Sequence, residues 1–88
     1  MVFENVTMRN PQGLHLRPAM TFANRMSRYD SHIRLEVGER VADGKSLVSL
    51  ISAGIGSESQ VKIICDGPDE EEMLCRAATL LQGKSGEL

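Results

Sequence analysis

Tryptophan is absent from this chain and only Phe3, Phe22 and Tyr29 are aromatic, too few rings for a surface that stacks bases. Neither charge dominates. Ten Lys and Arg stand against twelve Asp and Glu, a formal net charge of -2 with both signs mixed, which argues against nucleic acid as a partner. No apolar run approaches the roughly 20 residues of a membrane span, so insertion as a helix is excluded. The acidic, alternating start at Met1 reads as a strand and not as a signal peptide, and a cytoplasmic location is expected. Cysteine is scarce too. Cys65 and Cys75 lack CxxC spacing, so two buried free thiols are expected, with no disulfide and no metal.

What remains is one small domain, residues 1–88, without internal repeat, linker or low-complexity block. A chain of this size buries only about 60–65% of the surface its unfolded form exposes, so modest stability is expected. A protein or small-ligand partner fits this composition best.

The stretch Asn10-Pro11-Gln12-Gly13-Leu14-His15-Leu16-Arg17-Pro18-Ala19 carries the chemistry. Asn10-Pro11 and Gly13 break the preceding segment, and Pro18 suits the first turn of a helix, where a missing N–H costs nothing. A helix is therefore expected from about His15. Its start offers unpaired N–H groups and a positive dipole end, which favour an anion, and Arg17 adds planar, charge-assisted hydrogen bonds. The same positive end disfavours imidazolium, so His15 is expected neutral near neutral pH, with one ring nitrogen free to attack phosphorus.

Around this stretch the chain alternates between two periods. Val2 to Met8 reads as a strand, and Ala19, Phe22, Ala23 and Met26 fall at i, i+3, i+4 and i+7 as a buried helical stripe. Leu16 and Met20 lie on another side of that helix. His32 to Val37 alternates with Ile33, Leu35 and Val37 inward, and Gly38-Glu39 turns it into a short strand at Arg40 to Asp43. His32 stands on the polar face as a solvated residue. Ser46 is read as the N-cap of a short helix, Leu47 to Ala53, ended by Gly54. Leu50 and Ala53 suit the core, and Leu47, Val48 and Ile51 share another face that extends the Leu16 and Met20 patch.

Gln60 to Cys65 returns as a strand, with Val61, Ile63 and Cys65 on one face. In the last helix Asp69 is expected as N-cap, with Glu72 at the capping-box position and Glu70 and Glu71 complementing the positive end. Leu74, Ala77, Ala78 and Leu81 form its apolar stripe, Gly83 ends it, and residues 84–88 are expected to be a mobile tail. The order β-α-β-β-α-β-α describes an α+β sandwich, and periodicity leaves its strand order open.

Gly13-Leu14-His15-Leu16-Arg17-Pro18-Ala19, with Gly44-Lys45-Ser46 and the closing acidic helix, resembles the HPr family, the histidine phosphocarriers of the bacterial phosphoenolpyruvate-dependent phosphotransferase system. The resemblance spans nearly the whole chain. It implies an open-faced sandwich, a four-stranded antiparallel sheet with three helices on one face. It also implies that His15 takes a phosphoryl group on Nδ1 from phosphorylated enzyme I and passes it to an EIIA domain, as a carrier intermediate and not a self-contained enzyme. Arg17 and the backbone N–H groups of Leu16 and Arg17 would hold the phosphate, with no metal and no cofactor in this subunit. Leu16, Met20, Leu47, Val48 and Ile51 would form the partner-docking surface. Ser46 looks like the serine that an HPr kinase/phosphorylase modifies in some members.

The chain also departs from the family pattern. Leu16 stands where a small or polar residue is usual, and Met20 and Asn24 stand where many sugar-pathway members carry lysine. Gly67-Pro68-Asp69-Glu70-Glu71-Glu72 looks closer to the nitrogen-related branch. The alternative is therefore a regulatory interaction module that binds an enzyme or a transcriptional regulator without relaying phosphate to sugars.

Overall fold

Segments of period two and of period 3.6 alternate along the chain, and the computed structural model, which describes residues 1–88, turns each into the element its spacing implies. The strands are β1 (Val2–Thr7), β2 (His32–Val37), β3 (Arg40–Asp43) and β4 (Gln60–Asp66). The helices are α1 (Leu16–Met26), α2 (Leu47–Ala53) and α3 (Glu70–Leu81).

The sheet order is β1-β4-β2-β3, every pair antiparallel. The last strand in sequence thus lies between the first two. Its pairing sets Val6 opposite Val61 and Ile33 opposite Cys65, so the inward residues of three strands meet in rows. The helices close over that face and join it in one apolar core with Ala19, Phe22, Met26, Leu50, Ala77 and Leu81. This is the four-stranded, three-helix α+β sandwich expected from the sequence.

The opposite face is open. Phe3 and Val41 stand more than half exposed there, and the Lys62 ammonium sits 4.6 Å from the centre of the Phe3 ring. Ile64 shares this outer face yet is buried, because Phe3 and Arg34 are its direct cross-strand neighbours.

Four local expectations are corrected. α3 buries Met73 and Leu80 as well as Ala77, Ala78 and Leu81, while Leu74 is only half-buried. The cause is position: α3 lies over β1 and β4 and also meets α1, so a wider arc of it is covered. Asp69 occupies the N-cap position of α3 but makes no side-chain cap. Its carboxylate instead accepts from the backbone N–H groups of Asp30 (3.0 Å) and Ser31 (2.9 Å) and from the Ser31 hydroxyl, while the Asp69 N–H donates to Ser31 Oγ. Glu72 closes no capping box; the Gly67 N–H donates to Glu70 at 3.1 Å. Finally, only Cys65 is a buried thiol, and Cys75 is exposed on α3.

Ser31 is fully buried, so the Asp69 network satisfies a polar group that would otherwise be costly to bury. It ties the start of β2 to the start of α3. The Ser31 hydroxyl, followed by the Asp30 N–H, holds the Asp69 carboxyl below the usual carboxylate range. A lowered folded-state pKa contributes stability above about pH 4 that is lost as the pH falls through that lowered value. Asp69→Asn is therefore expected to lower the urea midpoint at neutral pH and to flatten its decline on acidification, measured by circular dichroism across the acid range. Burial pushes the Cys65 thiol up to about 11. Ellman's reagent should accordingly titrate Cys75 alone in the native protein and both cysteines in denaturant.

Candidate functional site

The loop between β1 and α1 is fastened at both ends. The Met8 N–H donates to the Ser59 carbonyl and the Arg9 N–H to the Leu81 carbonyl, while the Leu14 N–H donates to the Ile55 carbonyl at 2.8 Å. Within the loop, Asn10 accepts from the Gly13 N–H through its carbonyl and from the Gln12 N–H through its side chain. Gly13 is left-handed, and a Cβ there would stand 2.7 Å from the Ile55 carbonyl oxygen. Glycine is what allows this close approach. Leu14 is buried and the next side chain, His15, is exposed, so the backbone passes from core to surface in one step.

His15 is the N-cap residue of α1. Its backbone is extended, its carbonyl accepts from the Ala19 N–H, and its side chain makes no capping bond. The imidazole is thus free of structural duty. Pro18 contributes no N–H, so the first turn presents the N–H groups of Leu16 and Arg17, neither with a partner in the chain. No acidic side chain occupies that turn. The Arg17 guanidinium is exposed and forms no ion pair. An exposed imidazole, two backbone donors and an unpaired arginine that lines the same cavity thus stand together at the positive end of the helix dipole, an arrangement that suits a tetrahedral dianion beside a nucleophile.

Two concavities border His15. One, of about 380 Å³, is an apolar groove in which Leu16 of α1 faces Ile51 at the end of α2, floored by Leu14 and Ile55. Leu16 and Ile51 are 59% and 42% exposed, and further exposed apolar side chains follow on both helices, Met20 one turn after Leu16 and Val48 one turn before Ile51. Leu47 is the exception in the expected patch: it is half-buried and packs against the core. The other concavity, of about 240 Å³, is lined by Asn10, Arg17 and Pro18 and by Glu87 and Leu88 from the end of the chain. The expectation of a mobile tail at 84–88 thus meets a placement in which Glu87 bonds to Arg25 at 2.7 Å and to Arg76 at 2.9 Å. Nothing in a polar run of five residues marks which distant arginines it will meet.

Ser46 is separated from His15 by the length of α2. Its Oγ accepts from the Ser49 N–H at 3.2 Å, and Gly54 ends the helix in the left-handed conformation, as expected. Asp43 braces this cap: its N–H donates to Ser49 Oγ and its carboxylate accepts from the Lys45 N–H. The Lys45 ammonium donates to the Tyr29 carbonyl. Arg40, on β3, closes the other end of α2 by donating to the Ala53 and Gly54 carbonyls. Sequence reading missed Arg40 and Ile55 as supports of the site, because their partners are backbone atoms far along the chain.

These features define the class: a small open-faced α+β sandwich with an uncapped histidine at a helix N-terminus, beside an unpaired arginine and an apolar groove. The chain belongs to the HPr family: residues 2–83 match the family described as the PTS HPr component phosphorylation site. The chain is 32% identical to the phosphocarrier protein HPr of Treponema pallidum, over 99% of each chain. It is 33% identical to the HPr-like protein Crh of Bacillus subtilis, over 93% of this chain and 96% of that one. The crystal structure of a phosphocarrier protein HPr from Bacillus anthracis superposes with a TM-score of 0.89 at 31% identity, covering 92% of this chain and 96% of the other. It is thus an HPr-family phosphocarrier of the phosphotransferase system, and no helix in it is long and apolar enough to cross a membrane.

The cap on α2 can be tested separately from phosphoryl transfer. Ser46→Ala removes the acceptor for the Ser49 N–H and should cost about 1 kcal/mol in urea unfolding. Ser46→Asp, which restores an acceptor at the same place, should recover most of that loss.

Proposed function

We propose that His15 is the phosphoryl acceptor, taking the group on Nδ1 from phosphorylated enzyme I and passing it to an EIIA domain in the cytoplasm. The observation that carries this reading is the free His15 side chain at the N-cap of α1, with the Leu16 and Arg17 N–H groups at the same helix start and Arg17 lining the same cavity. In the first transfer the imidazole lone pair forms a P–N bond as the bond from phosphorus to the donor breaks. In the second, the P–N bond to His15 breaks as the acceptor attacks. Phosphoryl transfer asks for in-line positioning and charge stabilisation, which the two N–H groups and Arg17 supply to the equatorial oxygens. An exposed site suits a carrier, since the group must leave as readily as it arrives.

The groove from Leu16 to Ile51, extended by Met20 and Val48, is the docking surface in this reading, and apolar contact dominates it because Met20 and Asn24 bring no charge. A small apolar patch suits partners that bind and leave. Ser46 caps the helix that carries half of this surface, so a phosphate added there would place charge beside Val48 and disturb docking while remaining compatible with a helix N-terminus. That supports a regulatory use of Ser46 by an HPr kinase/phosphorylase. The likeness to the HPr-like protein Crh supports a second reading, in which the same surface serves a transcriptional regulator or enzyme by binding alone.

Intact mass after incubation with phosphoenolpyruvate, magnesium and enzyme I separates the two. The carrier reading expects one acid-labile phosphate on the wild type and none on His15→Ala, with Arg17→Ala slowing transfer by roughly 10²-fold, the scale of losing one preorganised donor. No phosphate on the wild type, with an enzyme I that is active on a known HPr, would favour the binding module.

A further inference from the structure

From Asn5 to Tyr29 the chain has four arginines, Arg9, Arg17, Arg25 and Arg28, and no carboxylate. The carboxylate that answers α1 comes from the far end of the sequence. After α3 the backbone turns at Gly83 and again at Gly86, both left-handed, and the Lys84 N–H is bonded back to the Thr79 carbonyl at 3.0 Å. These turns bring Glu87 between α1 and α3. One of its oxygens accepts from Arg25 Nε at 2.7 Å, and the other pairs with Arg76 at 2.9 Å. Neither arginine has another ion pair, and all three side chains are well short of full exposure, at 28% for Arg25, 39% for Arg76 and 25% for Glu87. Beyond this clamp Leu88 packs partly against the core and, with Glu87, lines the His15 cavity together with Asn10, Arg17 and Pro18.

We propose that residues 83–88 form a strap across the phosphoryl site, with Glu87 as a positioning residue latched between Arg25 and Arg76, and that the strap shields phosphohistidine at His15 from water. The proposal rests on the reading of His15 as the phosphoryl acceptor. Hydrolysis of phosphohistidine forms a bond from water oxygen to phosphorus as the P–N bond breaks, returning neutral imidazole and inorganic phosphate. The water must approach in line, opposite the ring nitrogen, and Leu88 and the Glu87 stem take up part of the cavity beside His15 through which it can enter. Both Glu87 oxygens are engaged by guanidinium groups, so the latch brings little net negative charge toward the incoming phosphate. The hydrogen bond from Arg25 and the charges of Arg76 and Arg28 hold the Glu87 carboxyl below its ordinary range, so the latch stays closed through neutral pH and opens in acid. A partner protein covers the cavity during transfer, and the strap serves the interval between partners.

The test uses the full chain as wild type, Glu87→Gln, Arg76→Gln and Glu87→Asp. Each is phosphorylated with phosphoramidate, a small donor that bypasses enzyme I, and the loss of phosphohistidine is followed by phosphorus NMR at neutral pH. Backbone amide relaxation of residues 84–88 and contacts from the Leu88 methyls to the His15 and Pro18 rings are read on the same samples. The expected result is an ordered wild-type tail, and a phosphohistidine half-life that falls several-fold in Glu87→Gln and Arg76→Gln as the tail loosens. Glu87→Asp should lie between, and high salt should shorten the wild-type half-life without changing that of Glu87→Gln. An unchanged half-life in variants whose tail has been released would overturn the shielding role. A wild-type tail as mobile as that of Glu87→Gln would overturn the strap itself. Absence of phosphate from wild-type His15 under both phosphoramidate and enzyme I would overturn the acceptor reading and the shielding role with it, while the relaxation data would still decide whether the wall exists.

Discussion

One backbone hydrogen bond, from the Leu14 N–H to the Ile55 carbonyl, holds the loop that opens α1 against the segment that follows α2. The site depends on that seam. Because Gly13 has no Cβ, the two backbones approach closely enough to form it, and Leu14 is then drawn into the core while His15 is left outside. The same seam brings Leu16 opposite Ile51, so the nucleophile and the apolar groove beside it share one mechanical origin. Shifting the loop would move the imidazole and the apolar groove together.

Electrostatics are arranged around this seam by separation. α1 carries Arg17 and Arg25 and no carboxylate, α2 carries no charged residue, and the longest run of acids, Asp69 to Glu72, stands at the start of α3. Several of the cations are already engaged: Arg40 closes the end of α2, Lys45 holds the Tyr29 carbonyl, and Arg25 meets Glu87. Arg17 is left unpaired beside the helix N-terminus. A nearly neutral protein thus presents a local positive field at the start of α1, and the field comes from what is withheld from pairing more than from net charge.

Much of the fold was legible because burial on one face imposes a period. The stripe of Ala19, Phe22, Ala23 and Met26, the alternation of Ile33, Leu35 and Val37, and the Ser46 and Gly54 boundaries of α2 all appear where their spacing placed them. The misses share a cause. Met73 and Leu80 are buried because α3 is covered on more than one side, which no single-helix pattern reports. Asp69 has the spacing of a cap and spends its carboxylate on Ser31, a partner 38 positions away. Cys75 looked like a core thiol because cysteine usually is one, and it falls on the outer side of α3.

The sequence by itself determined the local chemistry: a histidine at a helix start, a proline that leaves the first turn with free N–H groups only at Leu16 and Arg17, a cap at Ser46, and apolar faces of the right period. These are properties of neighbours within a turn or two, where backbone geometry ties spacing directly to placement. The tertiary structure alone decided which distant parts meet. It set β4 between β1 and β2, paired Leu16 with Ile51 across the groove, carried Asp69 to Ser31, and brought Glu87 to Arg25 beside the His15 cavity. Such meetings follow from the summed packing of the whole core, which no local window of the chain contains.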